Sequence, residues 1–452
     1  MSKNIIKNEA ISLLCNGLAD NNYINIADYT KYGVKRGLRN ADGTGVTAGL
    51  TKICSVEGYY MNDGEKVPKE GHLYYRGIDI NDIVNGCHAE NRFGFEEVIW
   101  LLLFGTLPTQ GQLDRFNEAL AQLRELPDNF TEDMIMKAPS PDIMNKLSRG
   151  VLALYSYDEN PDDTSIENVL NQSLRLIAQL PSIMSYAYQV KRRHYYHKSM
   201  YIHPPKAHHH TAEVILNSIR SDKTFTDAEA KLLDTCLMLH AEHGGGNNST
   251  FATRVLSSSG TDTYAAIAAG IGSLKGPKHG GANHKVSEMI SSFKENCSDI
   301  TDENQVADYL KKIMNKEGGD KTGLVYGIGH AVYTLSDPRA TILRAKAGEF
   351  AMNTEFEDEM ILLTLIEKLT PELFASVTGK SKPLCANVDL YSGLIYKMLR
   401  IPEDLYTPLF ATARMAGWCA HRIEELFTGG RIIRPAYKSL SSHTEYIPID
   451  KR

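Results

Sequence analysis

The sequence predicts a mostly helical, all-α protein, and three observations carry that prediction. Apolar residues recur at helical spacing: in TDENQVADYLKKIMNKEGG, Val306, Tyr309, Leu310, Ile313 and Met314 share one face. Capping chemistry marks helix starts, as where Thr226 and Glu229 form a capping box ahead of an apolar run. Strand-like alternation is scarce, with its best instance around residues 50–76.

In chain order, the N-terminal MSKNIIKNEAISLLCNGLADNN is short in apolar length and carries Glu9 and Asp20, so it reads neither as a signal peptide nor as a basic transit peptide. TKICSVEGYY and GHLYYRG form short hairpins. FEEVIWLLLFGTLP is a buried helix ended by Gly105 and Pro108, and its apolar run, 98–104, is too short to span a bilayer. PDDTSIEN after residue 160 and HPPKAHHH near 203 are loops. The Ala- and Gly-rich stretch 261–274 is a helix whose small residues permit close packing, and the helix after Thr301 stops at Gly318 and Gly319. GGANHKVSEMI starts another helix. There is no dinucleotide-binding glycine fingerprint, P-loop, internal repeat or low-complexity tract.

Bulk composition limits the function classes. A chain of 452 residues favours more than one domain, or a large domain with a smaller one attached. Hydrophobic residues at 42% and charged residues at 23% suit a soluble globular protein. A net charge of −6 gives no reason to expect nucleic acid or an anionic membrane as partner. Seven scattered cysteines without a CxxC pair argue against a disulfide framework and for a reducing, cytoplasmic location.

Four segments in the C-terminal half could carry chemistry. LHAEHGGGNNST, 239–250, holds His240 and His243. GPKHGGANHKV, 276–286, holds His279. GLVYGIGHAVYTLSDPRA, 323–340, holds His330 and Arg339. KPLCANVDLYSG, 382–393, holds Asp389, and Arg414 and Arg434 follow. Singly, each has a bland reading: a histidine beside glycines caps a turn, an Asp after Asn-Val caps a helix, and an arginine near the C-terminus makes a surface ion pair. Jointly, three His–Gly loops, one acid and several arginines make a more specific pattern than any of them alone. The spacing in HAEH also permits metal ligation, but no carboxylate ligand recurs nearby and the HExxH order is absent, so no metal is expected. A non-catalytic helical subunit is a third reading.

In this order, HAEHGGGN, GPKHGGAN, GIGHAVYTLSDPR and ANVDLYSG resemble the citrate synthase family. TKICSVEGYY with LYYRGIDINDIV, FEEVIWLLLFGTLPTQGQL and MNKLSRGVLALYSYD fit as well, so the resemblance runs from about residue 45 to about 437. It implies condensation of acetyl-CoA with oxaloacetate and hydrolysis of citryl-CoA, with acetyl-CoA as substrate and no cofactor. It implies Asp389 as base, His279 as donor to the thioester oxygen and His330 as donor to the ketone. The glycines beside His279 would leave room for the acetyl group, and a helix start there would disfavour the cationic imidazole. Arg339, Arg414 and Arg434 match the three arginines that hold the carboxylates, and His243 matches a further oxaloacetate contact. For coenzyme A, the resemblance points to Lys382 and to the backbone from Leu324 through Gly327 to Gly329. Ala331 and Thr334 stand where many members carry a cation, so the phosphate contact from that loop is missing. His240, His284 and His208–His210 keep the bland reading of helix-surface or loop residues.

The resemblance further implies a large helical domain, 1–279 with 389–452, and a small one, 280–388, that closes over the site. It implies a homodimer in which Arg434 reaches the other subunit's site. Within the family the rival is 2-methylcitrate synthase, which uses propionyl-CoA with the same residues; a methylene of pocket space is worth only about 1–3 kcal/mol of discrimination.

Overall fold

The computed structural model describes Cys15, Leu18 and residues 22–379 and 382–452. The chain divides into two compact units, residues 1–49 and 50–452. The first contains helix α1 (Ile26–Lys31), capped by Asn25, a short 3-10 turn and a bridge between Arg39 and Gly45. Everything that builds the site lies in the second.

That unit begins with a small antiparallel sheet: β1 (Cys54–Asn62), β2 (Glu65–Tyr75) and β3 (Ile78–Asp79), in the order β1-β2-β3. Asp63 and Gly64 both take positive φ and make the tight turn between β1 and β2. Helices then dominate: α2 (Ile80–Ala89), α3 (Phe95–Phe104), α4 (Gln110–Leu123), α5 (Ile143–Leu154), α6 (Ile166–Tyr195), α7 (Thr211–Ile219), α8 (Asp227–His240), α9 (Asn248–Ser257), α10 (Thr263–Leu274), α11 (Ala282–Asn296), α12 (Glu303–Met314), α13 (Pro338–Ala351), α14 (Glu357–Thr378), α15 (Val388–Met398) and α16 (Tyr406–Phe427). None of the described helices is long and apolar enough to cross a membrane. The all-α expectation holds, with the sheet as a minor element.

Local chemistry explains the boundaries. Gly105 ends α3 in the left-handed conformation at φ 86°, and the Thr226–Glu229 box opens α8 with reciprocal bonds of 3.1 and 2.8 Å. The small residues of α10 serve close packing: a Cβ on Gly270 would lie 2.5 Å from Thr253 Oγ1 of α9 and 3.2 Å from the Trp418 ring of α16. Two expectations shift. α12 stops at Met314, ahead of Gly318 and Gly319, because Lys316 already turns left-handed at φ 65°. The loop after 160 is shorter than read, since Ser165 caps α6 and the chain is helical from Ile166.

Buried apolar side chains from the sheet and most helices form one continuous core. α16 runs through it, burying Trp418, Arg414, His421 and Arg422 completely. The sheet packs beneath the segment 330–339: a Cβ on Gly58 would lie 2.7 Å from the Val332 carbonyl oxygen and one on Gly71 2.1 Å from that of Ser336. Only glycine permits these backbones to approach so closely.

Candidate active site

A cavity of about 320 Å³ is walled by His243, His279, His330, Arg339, Asp389 and Arg414, with Asn247, Asn283 and Phe410 among the other residues lining it. Five chain segments far apart in sequence meet there.

The first follows α8. His240 is buried and not at a surface; its Nε2 lies 2.8 Å from Tyr396 Oη, and its carbonyl accepts from Arg414 Nε at 2.7 Å. Three residues on, His243 is also buried, with Nε2 3.3 Å from Tyr333 Oη. Burial, followed by the nearby charge of Arg339, holds the His243 imidazole far below its ordinary range, so it is neutral.

The second segment carries His279, which sits in the turn before α11, whose N-cap is Gly281. The missing side chains of Gly280 and Gly281 do not open space for a ligand. A Cβ on Gly280 would lie 2.3 Å from the Leu274 carbonyl oxygen and 2.7 Å from Thr407 Cγ2, and one on Gly281 would lie 2.9 Å from Pro277 Cα. The glycines close the turn on itself. His279 is lowered to about 4, by burial first and then by Arg414. Its Nε2 lies 3.1 Å from Ser249 Oγ. Trp418 Nε1 donates to the same oxygen at 3.2 Å, and Asn247 Oδ1 lies 2.9 Å from it. The single hydroxyl proton of Ser249 can go to Asn247 or to His279 Nε2, and that choice sets the histidine tautomer.

The third and fourth segments are tied together. Ile328 and Ala386 form an antiparallel bridge. Gly329 N–H donates to the Cys385 carbonyl at 2.7 Å, and Asn387 N–H to that of Gly327 at 2.8 Å. Asn387 adds a side-chain bond to the Gly329 carbonyl at 2.9 Å and caps α15 by accepting from Asp389 N–H at 3.0 Å. His330 therefore follows one side of this clip, and Asp389, in the first turn of α15, follows the other. His330 Nδ1 accepts from the amides of Val332 and Tyr333, both at 3.1 Å, which leaves Nε2 as the ring's N–H donor. Asp389 is lifted to about 6: burial outweighs the pull of Arg339, and Asp337 adds repulsion.

The arginines differ. Arg339, at the start of α13, is gripped along one edge by Asp337, the helix cap. Arg414 is fully buried, and among the described residues none hydrogen-bonds its Nη1 or Nη2. A buried guanidinium fork at a cavity wall, with donors still to be satisfied, suits an anionic ligand. Behind it, Glu242 is fully buried and bonded to His421 at 3.1 Å; against the cost of burial, His421 and Arg414 keep its carboxyl low. Two buried cations, two neutral histidines and one weak acid make a site for a dianionic ligand beside a proton acceptor.

Other sequence candidates lie elsewhere. Arg434 is exposed on the extended segment after α16. Lys382 is exposed, Leu324 is 58% exposed, and Gly327 is packed against Leu390; none of the three lines the cavity. His284 is on the surface and pairs with Glu288, whereas His209 is buried. Sequence reading missed Ser249, Tyr333, Asp337, Asn387 and the Glu242–His421 pair. The Asp-Pro-Arg run held a signal for Asp337, since an acid before proline is a helix-cap pattern.

The family model for the citrate synthase C-terminal domain matches residues 39–436. A citrate synthase from Haloferax volcanii is 33% identical over 431 residues, covering 93% of this chain and 99% of that protein. 2-Methylcitrate synthase 1 of Corynebacterium glutamicum is 32% identical, covering 90% and 98%. Among solved structures, the ternary complex of the Thermoplasma acidophilum citrate synthase with carboxymethyl coenzyme A and oxaloacetate superposes with a TM-score of 0.72 at 25% identity, covering 92% of this chain and 99% of that one.

Proposed function

The chain belongs to the citrate synthase family, and from that membership we propose that it condenses acetyl-CoA with oxaloacetate and hydrolyses the citryl-CoA formed, yielding citrate and CoA. The observation that carries this reading is the buried, unpartnered fork of Arg414 in a cavity shared with Arg339 and Asp389. Two carboxylates on a small ketone suit two guanidinium groups.

The roles follow from protonation states. Asp389, ionised above about pH 6, takes a methyl proton from the thioester. His279, uncharged, hydrogen-bonds the thioester oxygen as enolate charge develops; donation from Nδ1 requires Ser249 to place its proton on Nε2. His330 offers its Nε2–H to the ketone oxygen and protonates the alkoxide once the new carbon–carbon bond has formed. Water then cleaves the thioester and releases the thiol. Arg339, Arg414 and His243 hold oxaloacetate. Lys382 and the Leu324–Gly327 backbone serve coenzyme A. Residues 280–388 form a small domain that closes over the ligands and excludes water. The protein acts as a homodimer, with the exposed Arg434 completing the other subunit's site. The described cysteines are all free thiols, which suits a cytoplasmic enzyme.

The second reading, 2-methylcitrate synthase, is favoured by the near-equal identity to relatives of both names. The test is thiol release from acetyl-CoA and propionyl-CoA, each with and without oxaloacetate. Release that needs oxaloacetate and favours acetyl-CoA supports the main reading. A preference for propionyl-CoA selects the second, and no release from either refutes both.

A further inference from the structure

A second cavity, of about 220 Å³, shares no lining residue with the active site. It opens where the end of α2 and its following turn meet α8 and α13. Three cations line it, one from each segment: Arg92, Lys231 and Lys346. His88 and Thr235 supply polar groups, held together at 2.9 Å, and Phe350 supplies an apolar wall. Among the described residues, no carboxylate lines the cavity.

The cations are half-buried, with 21–29% of each side chain exposed. Each has a carboxylate neighbour outside the cavity: Lys231 pairs with Asp227 and Lys346 with Glu349, acids whose own side chains are 70% and 60% exposed. Such surface pairs hold their cations weakly. Arg92 is held more firmly, by Glu90 and by Glu97, which is only 11% exposed. One fixed guanidinium and two recruitable ammonium groups around a small concave space match a phosphoryl group, whose charge and several acceptor oxygens need donors from several directions.

We propose that this cavity binds a phosphorylated anion, with the phosphoryl oxygens between Arg92, Lys231 and Lys346, and that occupancy regulates the active site. The path is two helices. Lys346 lies seven residues, roughly 10 Å, beyond Arg339 on α13. Lys231 lies nine residues, roughly 13 Å, before His240, whose carbonyl holds Arg414, on α8. An anion bridging Lys231 and Lys346 fixes α8 against α13, and with them the two arginines of the cavity. The binding claim is independent of the proposed reaction; the regulatory claim rests on it.

Calorimetric titration of the full-length protein, saturated with coenzyme A so that the substrate site cannot take the probe, tests the binding. Inorganic pyrophosphate and ADP are the two probes. One equivalent binding per chain is expected, tighter for pyrophosphate if the ligand is inorganic and tighter for ADP if it is a nucleotide. Lys346→Gln and, separately, Lys231→Met should each weaken that binding tenfold or more while leaving the rate without probe within twofold. Either probe should shift the oxaloacetate KM at least twofold in the parent and not in the variants. Failure of both probes to bind the saturated protein, or binding unchanged in both variants, would overturn the site. Binding without a KM shift in a protein active in the thiol assay would overturn its regulatory role.

Discussion

Asp337 holds Arg339 by two parallel hydrogen bonds, Nε to Oδ1 at 3.0 Å and Nη2 to Oδ2 at 2.7 Å, with both side chains buried. The same Oδ1 accepts the Arg339 N–H at 3.0 Å. Asp337 thus caps α13 and fixes one edge of the guanidinium, leaving the rest for a ligand. Asp337→Asn should raise the oxaloacetate KM at least tenfold with a smaller change in kcat. It should also lower Tm, since breaking a buried charge pair costs about 3–5 kcal/mol. An unchanged KM would show that Asp337 serves the fold alone.

Asp389→Asn should lower kcat by a hundredfold or more and leave oxaloacetate affinity within about threefold, both read from steady-state kinetics and thermal shift. In the parent, the acid limb of kcat/KM should fall near pH 6, where Asp389 gains its proton. The stability sign is opposite to that of an ordinary salt-bridged acid. A carboxyl raised on folding costs stability above its unfolded pKa, so the Asn variant should melt higher than the parent at pH 7.

Arg414→Met should abolish the thermal stabilisation that oxaloacetate gives the parent. The ligand-free variant should remain folded, because removal of a buried charge whose terminal nitrogens had no acceptor offsets the lost Nε bond to the His240 carbonyl. A variant that unfolds while oxaloacetate still stabilises it would remove Arg414 from the ligand.

Subunit mixing checks Arg434. Asp389→Asn and Arg434→Ala should each be nearly inactive alone. After denaturation and co-refolding at equal amounts, the proposed homodimer with Arg434 in the other subunit's site should return about a quarter of parental activity, because half of random dimers would be mixed and each would have one intact site. No recovery between two folded variants would place Arg434 in its own subunit's site or in neither.

Gly280→Ala should lower Tm through backbone overlap with Leu274, a strain of about 1–3 kcal/mol, and lower kcat by displacing His279. Wild-type stability would mean that the turn relaxes freely.

Much of this was legible in the sequence. The helix at 95–104 and the box at Thr226 could be read because their signals are local: a caps-and-period pattern acts within a few residues. His243, His279 and His330 stood out because each lies in a loop whose glycines break helical period, and Asp389 because it follows the cap residue Asn387 at the start of α15. Asp337, Ser249 and Asn387 did not, because a side chain that positions another is ordinary in type and is identified only by what it touches.

By itself, then, the sequence determined the helical class, the minor hairpin, the family and a set of candidate site residues, since those depend on spacing along the chain. Only the tertiary structure decided the protonation states. Burial beside Arg414 makes His279 neutral, burial near Arg339 and Asp337 makes Asp389 a weak acid, and burial without a partner leaves Arg414 a fork awaiting an anion. Desolvation and charge proximity depend on distances between segments far apart in sequence, such as those of Arg339 and Asp389 or of His279 and Arg414, and those distances exist only once the chain has packed.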